Sequence, residues 1–315
     1  MGKKQVFLRD RVLPKVSLED ASGEIRYNMT NDFAFKAVLE REKNVLMKLV
    51  AALLHRDPDS VRSAEVRNPI ILGEKITDKT IIMDVRVGLD DGTDLNLEMQ
   101  VIDYGDWRDR SVYYLCRDYA DLRKGGNYTD TGNTIHIGFL DFSLFPDDRE
   151  FYATNYLMNA RTHEIYTDKL RLSVVNLMHI DQATEEDKAY EIDRWARLFK
   201  ARTWEEFRMI AEKDQTMMEA GNALYQMSID EVYQEQLERS RINEMFNKAA
   251  MDRMKKEAAE AKQAVKDAQQ ERDKEKKLRQ AAEQKLGSAE EQLKAALDLL
   301  EKHGIDPTET TKNSK

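Results

Sequence analysis

The chain has 315 residues, 35% of them charged and 41% hydrophobic, with 59 acidic against 50 basic side chains and a formal net charge of −9. That is enough chain to bury a sizeable core in one large domain or two ordinary ones. No run approaches 18 apolar residues, the opening MGKKQVFLRDRV has no apolar secretory segment, and the single cysteine, Cys116, excludes a disulfide framework, so a soluble cytoplasmic protein without a membrane span is expected. Residues 1–28 read as a polar N-terminal arm. Thr30-Asn31-Asp32 offers helix caps before FAFKAVLEREKNVLMKLVAALL, whose apolar positions Phe35, Val38, Leu39, Val45, Leu46, Leu49 and Leu53 predict one helix that stops at Asp57-Pro58-Asp59. Strands are predicted near 64–72, 80–89 and 94–102, with a hairpin turn at Asp90-Asp91-Gly92-Thr93. A second helix runs from about 106 to 124 and ends at Gly125-Gly126. TIHIGFLD at 134–141 reads as a buried strand, and further strands fall within 151–160 and 170–180. Short helices follow from 184 to 228, one carrying Trp195, Leu198 and Phe199, the next Trp204, Phe207 and Ile210. A long helix spans 229–303 and a disordered tail 304–315.

In the long helix a heptad runs through Met251, Ala258, Val265, Arg272, Arg279, Leu286, Leu293 and Leu300 at a, with Met254, Glu275 and alanines at d. This predicts a weak coiled coil over 251–300, made with a second copy or a partner helix. Residues 251–302 hold 13 basic and 12 acidic side chains and the last 13 residues balance, so residues 1–250 carry about −10. An acidic globular part argues against tight non-specific binding to nucleic acid, which rests on neutralising phosphates.

Chemistry concentrates in 73–102, GEKITDKTIIMDVRVGLDDGTDLNLEMQVI. Asp84 interrupts one apolar strand, and Glu98 and Gln100 interrupt another. An unpaired buried charge is costly, and a divalent cation is the simplest compensation. Glu98 and Gln100 are two apart and share a strand face. A three-residue loop at 90–92 sets Asp84 opposite Glu98, and one at 91–93 sets it opposite Gln100. A two-residue turn would flip the face. Two adjacent carboxylates suit Mg²⁺ or a similar hard cation such as Mn²⁺, which would polarise a phosphoryl group and acidify a water that Gln100 orients.

These residues resemble the PD-(D/E)XK nuclease family transposases, also called recombination-promoting nucleases, over roughly residues 31–230. The matching pieces are NDFAFKAVL, DKTIIMDVRV, LNLEMQ, DWRDRSVYYLCRDYADLRKGGNY and TIHIGFLDFSLF. The resemblance implies an α/β fold with a restriction-endonuclease-like core of order α-β-β-β-α-β at 29–183, and divalent-metal-dependent cleavage of DNA. It makes Asp84 the strand aspartate and Glu98 the motif glutamate, with the backbone carbonyl of Met99 as a further metal ligand. Gln100 stands where the wider superfamily has Lys, and Asp32 matches its acidic residue on the first helix. Met83 replaces the proline of the motif's Pro-Asp pair. Lys36, Lys75 and Lys79 are candidate substitutes for the missing Lys.

Plainer roles compete with these. Asp84 and Glu98 could be a structural set paired to Arg86 and Arg110, Gln100 an ordinary strand residue, and Asp32 a helix N-cap. Tyr113 and Tyr114 are expected to pack on the sheet, His136 to be a core histidine, Cys116 a buried small side chain, and ERDKEKK at 271–277 a solvated face. The competing whole-protein reading is a catalytically weak or inactive nuclease fold acting through its coiled coil, and RNA is a possible substrate in place of DNA.

Overall fold

The computed structural model describes residues 7–68, 70, 85–120, 132–145, 147 and 149–304. Six strands form one mixed sheet in the order β1-β2-β3-β4-β6-β5. Their ranges are β1 Ala64–Val66, β2 Val85–Leu89, β3 Asp94–Gln100, β4 Thr134–Leu140, β5 Tyr152–Met158 and β6 Ile165–Asn176. β2 pairs antiparallel with β1 and β3, and β5 with β6, while β3–β4 and β4–β6 are parallel. Every residue of β4 is buried, which explains its unbroken apolar reading: a central parallel strand is covered on both faces. The first half of β6 and most of β5 are exposed, so they carry no burial pattern, and the strand begins five residues before the sequence signal at 170.

The helices are α1 Asp32–Arg41, α2 Lys43–Leu53, α3 Trp107–Tyr119, α4 Glu185–Ala189, α5 Ile192–Lys200, α6 Trp204–Ala211, α7 Gln215–Ile229 and α8 Glu231–Lys302. The predicted single helix over the first apolar stretch is two helices. Glu42 is extended (φ −100°, ψ 91°), closing α1 and opening α2. Position 42 lies on the same helical stripe as Leu39 and Leu46, so an unbroken helix would drive its carboxylate toward the core.

One sheet face carries Val85, Val87, Leu95, Leu97, Met99, Ile135, Ile137 and Phe139 into the main core under α1, α2 and α5. Phe35, Phe139 and Phe199 lock it edge to face, with ring centroids 5.3–5.5 Å apart. The opposite face is covered by α3. Gly138 leaves room there for the Trp107 indole, which a Cβ at that position would strike. Residues 7–28 form two short 3-10 turns and bury Leu8, Leu13, Leu18 and Ala21 in the main core. Compact packing divides the chain into two units, Met1–Lys248 and Ala249–Lys315. Among the described residues, no helix is long and apolar enough to cross a membrane.

Candidate active site

The β2–β3 hairpin turns through three residues, 90–92. Leu89 N–H donates to Thr93 O at 2.9 Å, and Gly92 N–H to Leu89 O at 3.2 Å. Gly92 has φ +83°, a backbone state that favours glycine, and the Asp91 carboxylate accepts from Thr93 N at 2.9 Å. The resulting pairs are Gly88↔Asp94, Val87↔Leu95, Arg86↔Asn96 and Val85↔Leu97. Asp84 itself lies outside the described residues, as do Lys75, Lys79, Met83 and the Gly125-Gly126 cap.

This register turns Asn96, Glu98 and Gln100 toward α3, away from the main core. Arg110, one turn into α3, donates from Nη2 to Glu98 Oε1 at 2.8 Å. Glu98 Oε2 lies 3.5 Å from His136 Nε2 on neighbouring β4. The Asn96 amide donates to His136 Nδ1 at 3.1 Å, so that nitrogen accepts and Nε2 carries the proton facing Glu98. Neither Glu98 Oε2 nor His136 Nε2 has a hydrogen bond among the described residues, although both atoms are buried. The Gln100 amide donates to Ile102 O at 2.8 Å, and its buried Oε1 likewise has no donor. Arg86 does not join this group; it pairs with Asp118 on α3 at 3.0 Å.

Asp32 is the first residue of α1 but not its cap. Asn31 caps the helix, accepting from Ala34 N at 3.0 Å. The Asp32 carboxylate accepts from Phe33 N at 2.7 Å and from the Ser240 hydroxyl, and Asn31 Nδ2 donates to the same Ser240 oxygen at 3.1 Å. Burial raises the Asp32 carboxyl above its ordinary range, against lowering by Ser240 and the backbone amides. Glu244, one turn along α8, is raised by burial and then by the charge of Asp32, with Lys248 and Arg241 opposing. Tyr104 is raised by burial, while its hydrogen bond to Asn247 and the charge of Arg110 oppose and the charges of Asp32 and Glu244 add to the rise. Arg110 and Tyr104 therefore link the Glu98 group electrostatically to the Asp32 group, and the start of α8 lies over the latter. Sequence reasoning missed Tyr104, Ser240 and Glu244. Ser240 is 208 residues from Asp32 and no local pattern marks it.

Met99 buries its side chain on the core face. Lys36 is buried on α1, and its charge helps lower the neighbouring Glu40 carboxyl, itself raised chiefly by burial. His136 is a core histidine, 1% exposed. Tyr114 lies 6.4 Å from the His136 ring, whereas Tyr113 is exposed, against the expectation that it packs on the sheet. Cys116 is exposed too, because the buried stripe of α3 is Trp107, Ser111 and Leu115, four residues apart, and Cys116 falls one position past it. Among the described residues, no three His, Cys, Asp or Glu side chains are gathered to hold a metal ion. The described donors nonetheless fit a hard cation in part: Glu98 presents a buried carboxylate oxygen with no donor, beside a similarly unpaired amide oxygen of Gln100.

No curated protein and no solved structure matches the chain. A family model, PD-(D/E)XK nuclease family transposase, matches residues 29–254. That span takes in the mixed sheet, α3 and the start of α8 over Asp32, and it covers well over half of the sequence; the chain belongs to the PD-(D/E)XK nuclease family transposases.

Proposed function

We propose that the protein is a divalent-metal-dependent endonuclease that hydrolyses DNA phosphodiester bonds, in keeping with the nuclease and mobile-element character of its family. The observation that carries this reading is the hairpin register. The described pairs end at Val85↔Leu97, and the reading takes Asp84 as the next position, opposite Glu98, whose Oε2 is buried without a donor. Asp84, Glu98 and the carbonyl of Met99 would hold the cation. In the antiparallel alternation set by the Leu89–Thr93 bonds, the Met99 carbonyl is directed to the β2 side of β3. The cation, Mg²⁺ or Mn²⁺, would supply Lewis acidity toward a phosphoryl oxygen and a more acidic water.

The chain's own residues prepare that site. Arg110 fixes the Glu98 carboxylate by its 2.8 Å bond and leaves Oε2 free. His136 Nε2 lies 3.5 Å from that oxygen without a hydrogen bond to it. Gln100, its amide nitrogen held by Ile102 O, offers Oε1 to accept a hydrogen bond from a water and orient it, without acting as a base. Asp32, with its carboxyl raised by burial, is the candidate acidic residue of the first helix.

Titrating Mn²⁺ into the wild type and the Asp84→Ala, Glu98→Ala double variant, with a supercoiled-plasmid nicking assay on the same samples, tests the reading. Metal binding and nicking that both disappear in a folded double variant are expected. A folded wild type that cleaves neither DNA nor RNA with any divalent ion overturns it. The Arg110–Glu98 pair would then be structural, and the protein a nuclease-fold scaffold acting through α8. Cleavage of RNA alone would keep the site and change the substrate.

A further inference from the structure

Residues 249–302 of α8 form one uninterrupted helix with its apolar side chains exposed: Val265 at 71%, and Leu286 and Leu293 at 62%. The heptad seam is lopsided. Its a positions are mostly large, while its d positions from 261 to 296 are alanine except Glu275. Two polar a residues, Arg272 and Arg279, flank that glutamate. Any partner must answer both the size pattern and this charged centre.

A second copy laid parallel and in register answers neither. It sets Arg272 on Arg272, Glu275 on Glu275 and Arg279 on Arg279, three like-charged layers in the seam, and stacks alanine on alanine elsewhere, leaving gaps. The same copy laid antiparallel, with a two-fold axis at Lys277, answers both. Val265 then faces the partner's Ala289, Leu286 the partner's Ala268, and Leu293 the partner's Ala261, so that large fills small in layer after layer. Glu275 faces the partner's Arg279, twice by symmetry, and Arg272 meets the partner's Ala282. On the flanks Lys262 faces the partner's Glu290 and Glu271 the partner's Lys285, again twice each. One like pair remains, Lys276 against its own copy, on the solvated rim where such a contact costs little. Leu278 meets its own copy beside the axis. Arg279 pairs with Glu283 of its own helix at 3.2 Å, an exposed pair of small worth that it can exchange.

We propose that residues 254–300 pair antiparallel with the same segment of a second copy of this chain, about a two-fold axis at Lys277. The occupant is a second copy because the seam is self-complementary in charge and size in one orientation only. The interface does not depend on the nuclease reading, and its tests involve no cleavage.

The experiment uses the full chain with the exposed Cys116 replaced by Ser. Ala261→Cys and Leu293→Cys variants, one carrying a mass tag, are mixed and mildly oxidised. A disulfide between tagged and untagged chains, with little self-crosslinking of either variant alone, is expected. Self-crosslinking of each variant alone indicates the parallel arrangement and overturns the proposal. A monomeric mass by light scattering at tens of micromolar also overturns it and points to another partner. As an independent check, Glu275→Arg should weaken the dimer about tenfold, and adding Arg279→Glu should restore it to within about threefold, because the swapped pair faces itself again only in the antiparallel register. Failure of the double variant to recover overturns the proposed axis.

Discussion

Asp32 and Gly138 each fix a different part of the site. Burial raises the Asp32 carboxyl, and the hydrogen bonds from Ser240 and the Phe33 amide only partly offset this. A carboxyl raised in the folded state contributes stability that is complete below its unfolded value and is lost as pH rises through the folded one. Asp32→Asn keeps an oxygen acceptor for both donors and removes the charge. It should therefore raise the melting temperature at pH 7–8, leave it nearly unchanged near pH 4, and flatten the decline between; thermal melts across that range check this. Gly138 acts through shape. A methyl group at that position strikes the Trp107 ring, which is 2% exposed. Gly138→Ala should cost about 1–3 kcal/mol, the usual overpacking range, and displace α3 with Arg110, read as a lower urea midpoint and an altered tryptophan emission. At this scale the sequence exposed the buried polar residues by their apolar neighbours, and so Glu98, Gln100 and His136 were legible. It did not reveal that Arg110 rather than Arg86 answers Glu98, because both stand at plausible spacings, and Arg86, opposite Asn96, is taken by Asp118 on α3.

The hairpin decides at the level of the element. Asp90-Asp91-Gly92-Thr93 admits both odd and even loops on paper, and only the odd ones keep Glu98 and Asp84 on one face. The three-residue loop is the one adopted, with Gly92 in the left-handed region that its sequence position invites. Gly92→Ala should cost about 1–2 kcal/mol, the penalty for a Cβ in that conformation, with Gly92→Asn falling clearly below it. Deleting Asp90 shortens the loop to two residues. The remaining Asp91-Gly92 can close the same Leu89–Thr93 pair, so the pairs from Gly88↔Asp94 to Val85↔Leu97 are kept and Leu95, Leu97 and Met99 stay in the core. Circular dichroism should show a folded chain with native strand content; an unfolded chain would show that the three-residue loop itself is needed to close the hairpin. The first helix was less legible. Its apolar spacing runs through residue 42 without a slip, and the break at Glu42 depends on what lies around it. Arg41, just before, donates from Nη1 to the carbonyls of Arg9 and Arg11 at 2.8 and 2.9 Å, contacts 32 and 30 residues away that no local window contains.

Across the whole molecule, the start of α8 belongs with the sheet rather than with the rest of its own helix. The composition changes near residue 229, where turn residues become scarce, and that marks where the long helix starts. The compact unit continues to Lys248. Tyr233 and Leu237 are fully buried in the main core, and the Tyr233 hydroxyl, pushed up to about 12 by burial, donates to Leu8 O at 2.9 Å. Glu238 accepts from the Tyr27 hydroxyl at 2.6 Å and from Arg26 at 3.0 Å; hydrogen bonds from Arg241 and then Tyr27 hold its carboxyl down to about 2. Ser240 then reaches Asp32. A chain ended after Ile229 loses an aromatic and a leucine from the core, each worth about 2–5 kcal/mol, which together approach the whole stability of an ordinary domain. It should fail to fold cooperatively. A chain ended after Lys248 keeps every one of these contacts, and its melting temperature should stay within a few degrees of the full-length value. Thermal unfolding followed at 222 nm and limited proteolysis of the two truncations separate these outcomes. Equal stability of both would mean that the first turns of α8 are dispensable to the fold, and that the hydroxyl held on Asp32 serves the site alone.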